Sequence, residues 1–150
     1  MMIFREAKRE DLERIVQLLA DDVLGTSRED VSSPLHQDYE EAFEAISGDS
    51  HNELIVAEWD ENVVGVCQLT YIPYLTHRGA WRAIIEGVRI ASECRGEGFG
   101  EALIKEAIVR AKAKGVRLVQ LTTDKQRSQA KHFYEKIGFK ATHEGMKLKL

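Results

Sequence analysis

Apolar residues recur along this chain at two periods, and the changes between them predict its elements. Met2 to Arg5 reads as a short strand. Leu12, Ile15, Val16 and Leu19 then fall on one face of a helix. Gly25 to Gln37 is polar and holds Pro34, which predicts a loop. Tyr39, Ala42, Phe43 and Ile46 recur at i, i+3, i+4 and i+7, so a second amphipathic helix follows, with Asp38 as its N-cap and Gly48 as its stop.

The middle of the chain changes to strands. Leu54 to Trp59 and Val63 to Tyr71 predict a hairpin around Asp60-Glu61-Asn62, and Ala83 to Ile90 predicts a further strand after a loop at Pro73 to Gly79. Helical spacing returns at Phe99, Leu103, Ala107 and Ala111, ending at Gly115. Val116 to Thr122 reads as a strand, Ser128 to Ile137 as a helix stopped by Gly138, and Phe139 to Leu150 as extended, with Met146, Leu148 and Leu150 alternating with lysines. The order β-α-α-β-β-β-α-β-α-β predicts a mixed α/β domain, antiparallel first and then with a strand–helix–strand unit able to pair in parallel.

At 150 residues the chain suits a single domain, residues 1–150, and its 43% hydrophobic content supports a folded core. Its 21 basic against 25 acidic residues give a net charge of −4, which argues against a generally basic nucleic-acid binder. Cys67 and Cys94 form no C-x-x-C pair and read as reduced thiols. None of His36, His51, His77, His132 and His143 pairs at a helical metal spacing, so no metal is expected. Without a signal core or a long apolar run, the expectation is a soluble cytoplasmic protein that does not enter membranes.

The strongest chemical signal is Arg95-Gly96-Glu97-Gly98-Phe99-Gly100, between a predicted strand and a predicted helix. Glycines admit backbone angles that other residues avoid, and the free amides of a helix start suit a phosphate or pyrophosphate. A Walker A loop is excluded by its spacing to Gly-Lys. A dinucleotide G-x-G-x-x-G is excluded because Glu101 and Leu103 stand where the third glycine is needed. On glycines alone, a turn without a ligand remains open.

Arg95-x-x-Gly98-x-Gly100 resembles the R-x-x-G-x-G signature of the GNAT superfamily of acyl-CoA-dependent N-acetyltransferases. Glu86-Gly87-Val88-Arg89-Ile90 is similar to the strand before that signature. Ala130 to Phe139 is similar to the family's tyrosine block, and Phe4-Arg5-Glu6-Ala7 with Asp11-Leu12 to its opening. The fold this resemblance implies is α/β (α+β), a mixed central sheet of about six to seven strands flanked by about four helices and splayed at the cofactor site.

The activity it implies is transfer of acetyl from acetyl-CoA to a primary amine. The loop Arg95, Gly96, Glu97, Gly98, Phe99 and Gly100 would cradle the pyrophosphate of coenzyme A. The strand Val88, Arg89 and Ile90 would carry the pantetheine arm, and an amide at Val88 or Ile90 would polarise the thioester carbonyl. Tyr134 matches the family's general acid, with a buried packing tyrosine as the alternative. Glu86 is the candidate base, its pKa raised by burial in an apolar strand, with substrate anchor or solvated charge as alternatives.

Where many members carry Asn seven residues before the tyrosine, this chain has Arg127. Arg127 and Ser128 remain cofactor-contact candidates. Lys125, Arg127, Lys131 and Lys136 either serve phosphates or form a solvated face. The acceptor implied is a small metabolite, with an anionic amine suggested by similarity around Ile85-Glu86 and His143 to Met146. Two other readings stay open: a protein N-terminal or lysine acetyltransferase, and a non-catalytic acyl-CoA-binding sensor. The resemblance also implies a homodimer.

Overall fold

The protein is described by a computed structural model covering all 150 residues. Its strands are β1 (Met2–Glu6), β2 (Asn52–Trp59), β3 (Asn62–Pro73), β4 (Trp81–Ile90) and β5 (Leu118–Leu121). Its helices are α1 (Leu12–Ala20), α2 (Val23–Arg28), α3 (Gln37–Ser47), the single turn α4 (Thr76–Gly79), α5 (Phe99–Ala113) and α6 (Ser128–Ile137). The strands make one sheet in the order β1-β2-β3-β4-β5, antiparallel except for the parallel β4–β5 pair.

Sequence chemistry explains the local choices. Asp60 and Glu61 both take left-handed backbone angles, the conformation a two-residue hairpin needs to follow the twist of β2 and β3. Ile55, Val66, Leu69 and Ile85 are buried in the sheet, and Ile15 and Leu18 of α1 join the same core. From α5 come Leu103, Ile104, Ala107 and Ala111. The alanines at 107 and 111 have no exposed surface, so α5 lies close against its neighbours.

Three expectations are corrected. The start of the predicted Gly25–Gln37 loop, Gly25 to Arg28, lies in α2, whose N-cap Asp22 accepts a hydrogen bond from the Gly25 amide. The second amphipathic helix is capped by His36, not Asp38, and Asp38 sits in its first turn. Phe139–Leu150 has no regular secondary structure, so the sheet has five strands rather than six or seven. Alternation suits a strand, but a strand persists only where a neighbour supplies the ladder, and here none does.

One charged residue, Asp11, is buried as a whole. Asp11 accepts from Arg5 Nη1 at 2.7 Å, Arg5 Nη2 at 3.0 Å and the Lys8 amide at 2.7 Å, while Arg5 Nε reaches Glu58 at 2.8 Å. The Arg5 hydrogen bonds hold the Asp11 carboxyl below the usual range despite burial. A depressed carboxylate adds stability above its unfolded pKa of about 4 and loses it as pH falls through the folded value. Asp11→Asn is therefore expected to cost about 2–3 kcal/mol at neutral pH. Thermal melts from neutral to acid should show the gap between variant and parent closing as pH drops below about 4.

Candidate active site

The site begins with a defect in β4. Between Val66 and Gln68 of β3 the register with β4 shifts, so Cys67 faces two residues, Gly87 and Val88. Gly87 takes a left-handed φ of 62°, which permits this bulge. On the other side, β5 pairs with β4 only from Arg82 to Ile85. From Glu86 to Ile90, β4 has no neighbour on the β5 side.

The exposed edge is unpaired backbone. Ala91 donates to the Val64 carbonyl at 2.7 Å, so its polar groups face β3, and strand alternation turns those of Ile90 and Val88 towards the open side. Arg89 Nη1 donates to the Val88 carbonyl at 2.8 Å, and Arg95 Nε to the Ile90 carbonyl at 3.2 Å. An extended ligand with amide groups can add to such an edge as a strand does.

The glycine-rich loop lies at the end of that edge. Gly96 and Gly98 have φ of 84° and 82°, and a Cβ on either would meet nothing within 4 Å. These glycines are required by backbone angle, not by space. Gly98 caps α5 without a side-chain hydrogen bond, which leaves the first amides of a 15-residue helix free. Phe99 packs on Trp59 and Gly100 lies against Phe133, fixing the helix start to β2 and α6.

Two carboxylates at the end of α1 gather three arginines. Asp22 lies 3.0 Å from Arg127 Nη2, off hydrogen-bond geometry, and 3.7 Å from Arg89 Nε. Arg95 donates to the Asp21 carbonyl at 3.0 Å and sits 3.8 Å from its carboxylate. Burial pulls the Asp22 carboxyl upward, but the Gly25 amide, Arg89 and Arg127 together leave it below the usual range. Burial, with Arg127 nearby, lowers Arg89. Arg89 Nε, Arg127 Nε and Arg127 Nη2 are buried without a hydrogen-bond acceptor.

Tyr134 is half-buried in α6, edge-on to Phe133 at 5.1 Å and Phe139 at 5.9 Å. Burial raises its phenol pKa, against the pull of Arg89 and Arg127 and with Glu86 adding to the rise. The phenol therefore stays protonated at neutral pH. Glu86 is exposed, which corrects the expectation that it is buried in an apolar strand. Cys67 is fully buried and its thiol is pushed up to about 12 by burial, which makes it unreactive core. No three His, Cys, Asp or Glu side chains converge on one point.

The structure brings together Val88, Arg89, Ile90, Arg95, Gly98, Arg127 and Tyr134. Glu97 and Ser128 are exposed at the loop and at the first turn of α6. Sequence reasoning missed Asp21, Asp22 and Gly25. The sequence shows two carboxylates ending an amphipathic helix, but nothing local points them at Arg89 and Arg127.

A sheet left open beside a bulged strand meets the free amides of a helix start at the end of that edge. Residues 9–139 match the family model for the acetyltransferase (GNAT) family, and the chain belongs to that family. A crystal structure of a transcriptional regulator from Bacillus halodurans C-125 is 53% identical, covers all of both chains and superposes with a TM-score of 0.98. A glucosamine 6-phosphate N-acetyltransferase from Trypanosoma brucei brucei is 34% identical over 88 residues, spanning 59% of this chain and 58% of that protein. An aminoalkylphosphonate N-acetyltransferase from Salmonella typhimurium is 27% identical over 108 residues, 72% of this chain and 70% of that one. No helix is long and apolar enough to cross a membrane.

Proposed function

We propose that this protein is a cytoplasmic N-acetyltransferase that moves an acetyl group from acetyl-CoA to the primary amine of a small anionic metabolite. The observation that carries the reading is the unpaired β4 edge from Glu86 to Ile90, ending at a helix start whose amides are free. The buried, acceptor-less guanidinium nitrogens of Arg89 and Arg127 also fit a ligand rich in carbonyl and phosphate oxygens. The two curated relatives add the chemistry of the acceptor: by name, both acetylate amines that carry a phosphate or phosphonate.

When bound, acetyl-CoA supplies the acetyl group as an activated thioester. The amides of Gly96 to Gly100 hold phosphate, and the β4 edge holds the extended arm. An amide at Val88 or Ile90 meets the negative charge that develops on the carbonyl oxygen. Glu86, exposed to water, takes the proton that the substrate ammonium must lose, directly or through a water. The new C–N bond forms as the C–S bond breaks, Tyr134 gives its proton to the departing sulfur, and the proton then shed by the new amide nitrogen restores the phenol.

β5 ends opposite Ile85, just before the bulge at Gly87, so the β4 edge beyond it is open to an added extended ligand. A second reading, an acyl-CoA-binding sensor without turnover, gains support from the regulator description of the 53% identical structure.

Saturating acetyl-CoA, at about 100 times its Kd, should stabilise the protein by about 2.7 kcal/mol. Melts should then rise by roughly 5–10 °C. Free-thiol release with phosphorylated or phosphonylated amines should exceed that with the same amines lacking the anion. No rise at millimolar acetyl-CoA would refute the reading. A rise without thiol release across small amines and peptides would leave the sensor.

A further inference from the structure

Every arginine of the chain has a carboxylate within 4 Å except Arg78, Arg82 and Arg117. All three stand at the turn α4 between β3 and β4, at the far end of β4 from the glycine-rich loop. Arg117 Nη1 donates to the His77 carbonyl at 3.3 Å and Arg82 Nη2 to Thr76 Oγ1 at 3.2 Å, so two of them brace that turn. His77 and Arg78 take left-handed φ of 53° and 60° there, angles that residues with a Cβ adopt at a cost.

Arg82 is the best held of the three. Its guanidinium carbon lies 4.3 Å from the centre of the Tyr74 ring, and Nη1 donates to Gln120 Oε1 at 3.2 Å. An aromatic face and neutral oxygens fix a planar cation without neutralising it. The residue is half-buried, an uncommon place for a charge with no counter-ion.

Strand alternation decides what Arg82 faces. β3 and β4 pair without a break from Pro73–Trp81 to Gln68–Glu86, so Arg82, Ile84 and Glu86 share one face with Thr70 and Gln68. Ala83 and Ile85 are buried on the other face with Leu69 and Tyr71. β5 places Gln120 opposite Ile84. Thr70, Gln68 and Gln120 are half-buried, which gives this face a polar floor instead of a core. Thr70 Oγ1 and Gln68 Nε2 donate to Asn52 Oδ1 at 2.7 and 3.3 Å. Gln68 and Gln120 thus each spend one end of the amide and keep the other.

Given the acetyl transfer proposed above, we infer that Arg82 determines acceptor specificity: it takes the acceptor's anionic group while Glu86 meets its amine. Glu86 stands where the β4 edge opens, and Arg82 lies four residues back, about 13 Å along the strand. Side chains stand roughly perpendicular to a sheet, so their ends keep that spacing. A hydrogen bond of about 3 Å at each end leaves about 7 Å between the amine and the anion. A two-carbon spacer falls short of that, and a sugar-sized body fills it. Such a body rests on Ile84, with Thr70, Gln68 and Gln120 at its sides to bond hydroxyl groups. The acceptor class is a hydroxylated amine whose phosphate or carboxylate lies about one ring away. The arginines at the cofactor loop compete poorly for this anion, because Asp21 and Asp22 already hold them.

Calorimetry on the coenzyme A-loaded protein tests the assignment with three probes: glucosamine 6-phosphate, glucosamine without the anion, and aminoethylphosphonate with a short spacer. Glucosamine 6-phosphate should bind about tenfold or more tighter than either. Arg82→Gln should weaken it by about 10–100-fold and leave glucosamine within about threefold, and Arg82→Lys should recover part of the loss. Gln120→Glu leaves Arg82 in place and gives it an internal carboxylate, so it should weaken glucosamine 6-phosphate alone. Far-ultraviolet dichroism checks that each variant is folded. Undiminished glucosamine 6-phosphate binding in folded Arg82→Gln and Gln120→Glu would overturn the role of Arg82. So would equal binding of the three probes, or none at millimolar glucosamine 6-phosphate. Thiol release from acetyl-CoA is scored separately: its absence with a probe that binds counts against acetyl transfer, while the binding comparison still decides Arg82.

Discussion

Tyr134→Phe should lower kcat by about 10²–10³-fold while leaving acetyl-CoA affinity nearly unchanged. The substitution removes one oxygen and keeps the ring that packs edge-on against Phe133 and Phe139. It also keeps the apolar side of α6 that covers part of the core. What is lost is the hydroxyl proposed as proton donor, whose pKa is raised by burial so that it is protonated throughout the working range. The parent should hold its rate as pH rises past neutrality, and the variant should be slow at every pH. Steady-state kinetics on the best amine, beside calorimetric binding of acetyl-CoA, separates the outcomes. An undiminished kcat would take Tyr134 out of the reaction and return it to packing. A loss confined to acetyl-CoA binding would make it a structural support for the cleft.

Gly25→Ala should destabilise the protein by about 2–3 kcal/mol, against the propensity scale, on which Ala in a helix is favoured over Gly by about 1 kcal/mol. Sterics decide the sign. A Cβ at residue 25 would overlap the Leu19 carbonyl oxygen, lie 2.9 Å from Asp22 Oδ1 and 3.0 Å from the Ala20 Cα. Two of these neighbours are backbone in the last turn of α1, so neither can rotate away. Relief requires α2 to move off α1, which breaks the hydrogen bond from the Gly25 amide to Asp22. Asp22 then leaves Arg89 and Arg127. Melts should fall by roughly 5–10 °C, and acetyl-CoA affinity should change as well, although residue 25 touches none of the loop residues. A variant as stable as its parent would show that the corner yields easily.

The fold was legible wherever a local rule and a neighbour agreed. α6 runs from Ser128 to Ile137 as its spacing predicts, because helical periodicity needs no partner in order to form. Gly98 was legible for a similar reason: a left-handed cap at a helix start is written in the residue type itself. The tail was misread because its alternation states only that a strand would suit it, not that an edge is at hand. Of the readings open for Glu86, the structure overturns only its burial: the sequence context is apolar, but alternation turns every second residue of β4 away from the core. The Asp22–Arg89–Arg127 cluster joins the end of α1, β4 and the start of α6. Such a contact depends on how the elements assemble, so no local pattern carries it. The departure at Arg127 was visible as a change of residue type, but its carboxylate partner, 105 positions earlier in the chain, was not.

The acidic pair at the end of α1 also governs how the protein responds to ionic strength. Arg89, Arg95 and Arg127 already have internal counter-ions in Asp21 and Asp22. An incoming phosphate therefore exchanges with a carboxylate rather than with mobile salt. Added salt screens the new contact and the one it replaces together. Affinity for an anionic ligand should then fall with salt less steeply than three guanidinium groups would suggest. In this chain the ion atmosphere is partly built into the polypeptide, so selectivity between anions rests more on the geometry of the exchange than on net charge.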